Sequence, residues 1–334
     1  MRTPQFYVWM AVSFLAILFI ALAGTAHGQI AIHPMVGVHG DDSDSDQPIK
    51  EQETIRKSFT LPAGERSLDI DNVIGVIEVT GSQTDQVEVV VNKTMHAESK
   101  EKLEQARKDV TLDITQNGGE LKLYVNGPFR CNCCCNDNCG HSDEHGNLRR
   151  PGVDLRYGCN NGCGHSGEHQ GYSVRMDFQV QVPRNIALTL RTVNGGHVQV
   201  KDVTGKYCVR NVNGGIVMEN VGGSGTARTV NGSVKVVFRE NPRENSDFAS
   251  INGSIDLYFV PNLSADFRFK TMNGGIFTDF PMTSLPAEPT KVERRDGKFV
   301  FRADRFTGGR VGSGGPEIKA ENLNGSIRVL ERHD

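Results

Sequence analysis

A five-residue phrase recurs six times in this chain: a Thr, Ser or Asn, then an aliphatic residue or Met, then Asn-Gly, then Gly or Ser. The copies are TVNGG at Thr192, NVNGG at Asn211, TVNGS at Thr229, SINGS at Ser250, TMNGG at Thr271 and NLNGS at Asn322. Their asparagines Asn194, Asn213, Asn231, Asn252 and Asn273 are 19, 18, 21 and 21 positions apart, and Asn324 follows after 51. A repeat of this length marks an architecture in which each unit buries its apolar face only against its neighbours. Asn-Gly tolerates positive φ well, so each copy predicts a sharp bend between two strands. Apolar residues three and five places beyond the Asn agree: Ile216 and Met218, Val234 and Val236, Ile255 and Leu257, Ile327 and Val329, with Ile276 beside the polar Thr278. Such alternation puts one face of a strand into a core. In the first copy the pair is shifted by one, to Val198 and Val200, which predicts a bulge.

Two architectures satisfy this pattern. In an antiparallel meander, Asn-Gly closes every second hairpin. In a β-solenoid each unit makes one coil, and equivalent corners stack roughly 4.8 Å apart. Only the solenoid gives the first position of the phrase a reason to be Thr, Ser or Asn, side chains able to form hydrogen-bonded ladders between equivalent corners. The expected fold is therefore all-β, a single-stranded β-solenoid over residues 172–334. Strand-like runs also occur at Leu68 and Ile70, Val76 to Val79, Val87 to Val91, Val110 to Ile114, Leu121 to Val125 and Tyr172 to Pro183. These define an N-terminal β segment over 55–130, interrupted by one short surface helix within His96 to Val110, where good helix formers alternate in charge.

Ahead of this lie Arg2, an apolar stretch from Phe6 to Ala23, and small residues at Gly24, Ala26 and Gly28. That order predicts a secretory signal over residues 1–28, although the apolar stretch is also about long enough to anchor an uncleaved chain in a membrane. Removing it takes away Arg2 and no acid, moving the net charge from −3 to −4. Mild acidity argues against nucleic acid as a partner. Residues 29–54 contain the acidic run GDDSDSD from Gly40 and read as a solvated linker, with Ca²⁺ binding the weaker alternative.

A Cys/His-rich insertion occupies residues 131–171. CNDNCGHSDEH from Cys135 recurs 24 positions later as CNNGCGHSGEH from Cys159, so each copy carries C-x3-C-x-H-x3-H. The candidate metal ligands are Cys135, Cys139, His141 and His145, then Cys159, Cys163, His165 and His169. Thiolate and imidazole suit zinc or copper, zinc first. The single-residue gap between the second Cys and first His is cramped for one tetrahedral site, so the copies can pool ligands. The alternative is a disulfide-stapled loop, because an exported chain meets an oxidising compartment. Seven thiols stand in the block (with Cys131, Cys133 and Cys134), and the eighth, Cys208, falls in a predicted buried strand. Disulfides alone leave the repetition of His and Glu unexplained. Both copies also fit H-x-x-E-H, a zinc-peptidase pattern, but Gly140, Gly146, Gly164 and Gly167 oppose the helix which that chemistry needs. The Gly-rich run Gly308 to Gly315 lacks the Lys-Ser/Thr of a phosphate loop and reads as a corner, and Arg294-Arg295 before Asp296-Gly297 reads as a hairpin tip.

The recurring Asn-Gly-Gly/Ser corners and the closing stretch GGRVGSGGPEIKAENLNGSIRVL from Gly308 resemble the adhesin-like domain family of bacterial envelope proteins, over roughly Tyr172 to Leu330. The resemblance implies a β-helical fold, not a mechanism, and the Cys/His insertion stands outside it. Together these readings predict an exported, non-enzymatic interaction scaffold of the bacterial envelope, in the periplasm or at the cell surface. Its expected partner is an envelope or surface protein or a glycan, and its Cys/His loop binds a transition metal. The alternative is a metal-handling or redox-sensing protein in which that loop is the functional part.

Overall fold

A computed structural model describes residues 47–130, 170–286, 291–295, 298–302 and 306–333. The chain divides into two units, Met1–Gly40 and Asp41–Asp334. The first, with the predicted signal, lies outside the described residues, and the described residues of the second are all-β apart from one helix.

Its first part runs β1 (Ile49–Thr60), β2 (Ser67–Asp71), β3 (Ile77–Ser82), β4 (Gln86–Ala97), α1 (Lys100–Asp109), β5 (Thr111–Asn117), β6 (Glu120–Asn126) and β7 (Tyr172–Pro183). The expected linker therefore ends earlier than residue 54, because β1 begins at Ile49 and pairs along its whole length with β4. The helix lies where the sequence places it. Ser99 caps it by accepting from the Lys102 N–H at 3.2 Å, Glu101 sits in the first turn, and Arg107 and Lys108 in the last, so charge opposes the macrodipole at both ends. Leu103 and Ala106 are its buried face, packed against β4 and β7.

The repeats follow as strand pairs flanking each corner. These are β8 (Ala187–Arg191) with β9 (Val198–Lys201), β10 (Tyr207–Arg210) with β11 (Ile216–Val221), and β12 (Gly225–Arg228) with β13 (Val234–Phe238). Next come β14 (Ser246–Asn252) with β15 (Ile255–Phe259), and β16 (Ala265–Lys270) with β17 (Ile276–Thr278). The chain ends through β18 (Met282–Leu285), the hairpin β19 (Lys291–Arg295) and β20 (Lys298–Arg302), then β21 (Thr307–Val311), β22 (Glu317–Asn324) and β23 (Ile327–Glu331).

Two mixed sheets form a sandwich. The first has the order β1-β4-β7-β3-β9-β11-β13-β15-β23-β17, the second β18-β21-β16-β22-β14-β12-β10-β8-β2-β6-β5. Each pair thus spends its first strand in the second sheet and its second strand in the first, crossing at the Asn-Gly bend. Pairing between successive units is parallel and in register, as in Ile216↔Val234↔Ile255↔Ile327. A meander of antiparallel hairpins is excluded for this region. Antiparallel strands lie at the two ends instead, where β4 joins β1 to β7 and where β21 joins β16 to β18. β2 and β3 pair with β8 and β9, so the N-terminal segment and the repeats share one core rather than forming two domains.

The +3 and +5 positions point into that core: Ile216, Met218, Val234, Val236, Ile255, Leu257, Ile327 and Val329 are fully buried. Each such side chain contributes about 1.5–3 kcal/mol by leaving water. The next layer is phenylalanine. Phe238 stacks on Phe259 at 4.9 Å, and Phe248 and Phe267 meet them edge-on at 6.2 and 5.8 Å. Ile276 occupies the equivalent position in β17 but is 37% exposed, since β17 is the edge of its sheet. Three expectations shift. The extra residue of the first copy is taken up in its corner, because β9 pairs with β3 and β11 without a register break. The break lies in β11, between Glu219 and Val221. The glycines of Gly308 to Gly315 are mostly strand β21 and its turn, not a repeat corner.

The 51-residue gap has a topological cause. β22 lies between β14 and β16, and β23 between β15 and β17, so the last unit in sequence is inserted between the fourth and fifth units in space.

Candidate functional site

The six asparagines form a single file along one exposed edge of the sandwich. Each side-chain amide donates to the carbonyl oxygen of the next. Asn213 bonds Asn194 at 2.5 Å, Asn231 bonds Asn213 at 2.7 Å, and Asn252 bonds Asn231 at 2.8 Å. Asn324 then bonds Asn252 at 2.8 Å, and Asn273 bonds Asn324 at 2.7 Å. All five bonds run the same way, so the amide dipoles add and polarise one another. An interior asparagine uses one of its two N–H groups and one of its two acceptor sites in the ladder. The spare donor and acceptor face solvent, repeated at roughly the interstrand spacing of 4.8 Å.

A second row lies beneath. The first residue of each phrase, buried in all but the half-buried Thr271, donates to a glycine carbonyl one rung away. Asn211 reaches Gly196 at 2.9 Å, Thr229 reaches Gly214 at 2.7 Å, Ser250 reaches Gly232 at 2.8 Å, and Asn322 reaches Gly253 at 2.6 Å. Thr192 bonds Gly75 and Thr271 bonds Gly325, both at 3.1 Å. The predicted ladder of these residues with one another is thus replaced by side chain to backbone bonds, and the asparagine of Asn-Gly makes the side-chain ladder. Glycine is required because the rungs nearly touch: a β-carbon on Gly253 would stand 2.2 Å from the Gly232 oxygen, and one on Gly232 2.3 Å from the Gly214 oxygen.

A seventh rung escaped the sequence reading. Asn72-Val73-Ile74-Gly75 occupies the same place, with Ile74 bridged to Asn194 and Gly75 accepting from Thr192. Its Asn72 amide donates to the Met176 oxygen at 2.9 Å. Ile74 replaces the signature asparagine, so the ladder stops at Asn194. The usable signal was the polar-aliphatic-x-Gly spacing rather than Asn-Gly itself.

Neither a family model nor a curated protein matches this chain. Among solved structures it is similar to a candidate cell adhesion protein from Clostridium sporogenes ATCC 15579, with TM-score 0.37 and 10% identity over 84% of this chain and 100% of that one. A candidate adhesin from Bacteroides fragilis NCTC 9343 gives 0.26 and 11% over 84% and 97%. A candidate lipid-binding protein from Parabacteroides distasonis ATCC 8503 gives 0.23 and 10% over 83% and 96%.

The eight candidate ligands Cys135, Cys139, His141, His145, Cys159, Cys163, His165 and His169 lie outside the described residues. Among the described residues no cluster of His, Cys, Asp or Glu is arranged to hold a metal. At the opposite bend of the repeat units, Asn220 donates to Asp202, both in the left-handed region at φ 54 and 58°. Nearby, Thr204, Lys206, Ser224, Glu240, Arg243 and Glu244 frame a shallow polar hollow of about 350 Å³.

The outer face of the second sheet is charged. Asp71, Arg191, Arg210 and Arg228 lie in one register row, and Asp69, Thr189, Cys208, Thr226 and Asp247 in the next. Arg228 pairs with Asp247 at 2.7 Å, and Arg191 lies 3.6–3.7 Å from Asp71 and Asp69. Burial raises the pKa of Asp247 above the ordinary carboxylate range, against the pull of Arg228 and Lys319. Asp69 is raised for the same reason, opposed mainly by Arg191. These are costs of burying charge.

Proposed function

We propose that this chain is an exported, non-enzymatic, adhesin-like scaffold of the bacterial envelope, whose partner is an envelope or surface protein or a glycan. In this reading the alternating strands are the coils of a β-solenoid flattened into two sheets. The observation that carries it is the file of six exposed amides: a rigid row of evenly spaced donors and acceptors suits a ligand that is itself extended and repetitive. Rigidity matters because a pre-ordered surface loses little conformational freedom on binding. The test is co-sedimentation of the purified protein with isolated envelope fractions, comparing wild type with Asn231→Ala/Asn252→Ala. Reduced binding by a folded double variant supports the scaffold reading. Wild-type binding that is absent, or equal to that of the variant, overturns it.

A second reading concerns the insertion, and the duplicated C-x3-C-x-H-x3-H supports it. We propose that Cys135, Cys139, His141, His145, Cys159, Cys163, His165 and His169 bind zinc, or copper. Elemental analysis of the mature protein tests this directly. Stoichiometric metal that disappears when the four histidines are replaced by Ala supports the assignment, and metal-free protein or unchanged content removes it.

A further inference from the structure

Four large apolar side chains are exposed among the described residues, and all four lie at one end of the stack of rungs. Ile276 and Phe277 belong to β17, while Met272 and Leu323 take the second position of the phrase in the last two rungs in space. Met272 is 67% and Phe277 56% exposed. Ile276 keeps the inward register of Ile216, Val234, Ile255 and Ile327, which are fully buried between neighbours on both sides. β17 pairs with β23 and, among the described residues, with no other strand, and β19 and β20 pair only with each other. Other outer strands are polar where they meet solvent. Long β1 shows Lys50, Glu53, Arg56 and Lys57, and short β18 shows Thr283 and Ser284, whereas Ile276-Phe277-Thr278 carries no charge. An apolar, uncharged outer strand is a template for pairing with another chain.

The backbone decides what such a strand accepts. The Gly275 oxygen accepts from the Ile327 N–H at 2.9 Å, and the Asp279 N–H donates to the Val329 oxygen at 3.0 Å, so both groups face β23. Alternation along the ladder turns the N–H and C=O of Phe277 to β23 as well and points those of Ile276 and Thr278 outward. A second copy approaching this edge about a two-fold axis is antiparallel to it. Centred on Phe277, that pairing sets Ile276 opposite Thr278 of the second copy, and each such pair exchanges both of its hydrogen bonds. Phe277 then opposes its own counterpart in the non-hydrogen-bonded position, where side chains are closest, and Ile276 gains the flank it lacks. The edge is thus complementary to itself. Head-to-tail stacking has no such seat, because β2 and β3 at the other end of the repeats are already paired with β6 and β7.

We propose that two copies of this chain join through β17, edge to edge and antiparallel about Phe277, into one continuous sheet. Closed two-fold pairing is the commonest form of self-association. A three-residue strand makes a small contact, so the dimer is weak and forms only at high protein concentration. The two amide files then lie on opposite margins of the joined sheet, and a ligand of the file meets a bivalent particle. The pairing does not depend on what the file binds.

Sedimentation velocity of the purified protein from about 1 μM to about 1 mM tests this. The expected result is a monomer–dimer equilibrium whose dissociation constant rises about tenfold or more in Phe277→Lys, with circular dichroism unchanged because the side chain is exposed. A mixture of Phe277→Lys and Phe277→Glu should associate where neither does alone, as a self-opposed position requires. Amide exchange reads the register: the Ile276 and Thr278 N–H groups should slow in step with the dimer fraction, while the Phe277 N–H is protected throughout. A monomer at every concentration, or a dimer indifferent to Phe277→Lys, overturns the proposal. So does protection of Ile276 and Thr278 that is independent of concentration, which assigns the edge to another segment of the same chain.

Discussion

The two polar rows at the corner should differ sharply in what they contribute to stability, and Thr229 with Asn252 makes the comparison. Thr229→Val keeps the side-chain volume and removes one donor, the 2.7 Å bond to the Gly214 oxygen, from a residue that is 4% exposed. The carbonyl then faces a methyl group where water cannot replace the hydroxyl. A buried acceptor left in this way costs about 1–3 kcal/mol. Asn252→Ala removes two bonds, to Asn231 and from Asn324, but on an exposed edge where water substitutes. Its cost should stay below about 1 kcal/mol although twice as many bonds are lost. Urea unfolding followed by circular dichroism ranks the two. Amide exchange localises the effect: the Gly232 N–H, bonded to the Asn252 oxygen at 2.8 Å, should exchange about 5- to 140-fold faster in Thr229→Val. If Asn252→Ala proves the costlier change, the exposed file rather than the buried row holds the corners together, and the reasoning fails.

Phe259→Ala should cost about 3–5 kcal/mol, because it empties a fully buried site and dissolves the stack with Phe238; a urea-midpoint shift worth less than about 1 kcal/mol would contradict the packing described. Asp247 gives a pH dependence. Burial lifts its folded pKa above the unfolded value despite Arg228 and Lys319, so within that window the folded state keeps a proton which the unfolded state releases, and its contribution falls as pH rises. The stability of wild type relative to Asp247→Asn should therefore decline as pH rises above about 4, and a difference that grows with pH refutes the sign. Ending the chain at residue 305 removes β21 together with β22 and β23, the last two being the neighbours of β14 and β16 and of β15 and β17. Amide protection should vanish across β16 and β17 and persist in β8 to β11, whereas protected β16 and β17 would show that the insertion of the last unit is wrong.

Much of this architecture was legible because a local rule repeats. Asn-Gly fixed where the chain turns, and Ile216, Val234, Ile255 and Ile327 fixed which face of each strand goes inward; those two facts set the parallel register without any long-range information. What the pattern omits is spatial order. Asn252 and Asn273 are 21 residues apart, like Asn231 and Asn252, so nothing local distinguishes the pair that touches from the pair separated by Asn324. The seventh rung was hidden for the converse reason. Its Asn72 and Gly75 keep the backbone function of the phrase, while Ile74 gives up the side-chain function. The signature that makes the repeat visible is therefore the exposed asparagine, not the buried donor and glycine that close the corner.

That separation bears on function. Ile74 shows that a rung holds its place without an amide, since Thr192 still bonds Gly75 and Met176 still accepts from Asn72. The corner is thus compatible with an apolar residue at the exposed position. Six of seven rungs nevertheless carry asparagine there, and the inserted C-terminal unit extends the file without a gap, Asn324 bridging Asn252 to Asn273. If closing the corner were the whole role of these residues, the rung at Ile74 would be as serviceable as any other. A continuous row of amides facing solvent goes beyond what the fold demands, and it is on that surplus that the scaffold reading rests.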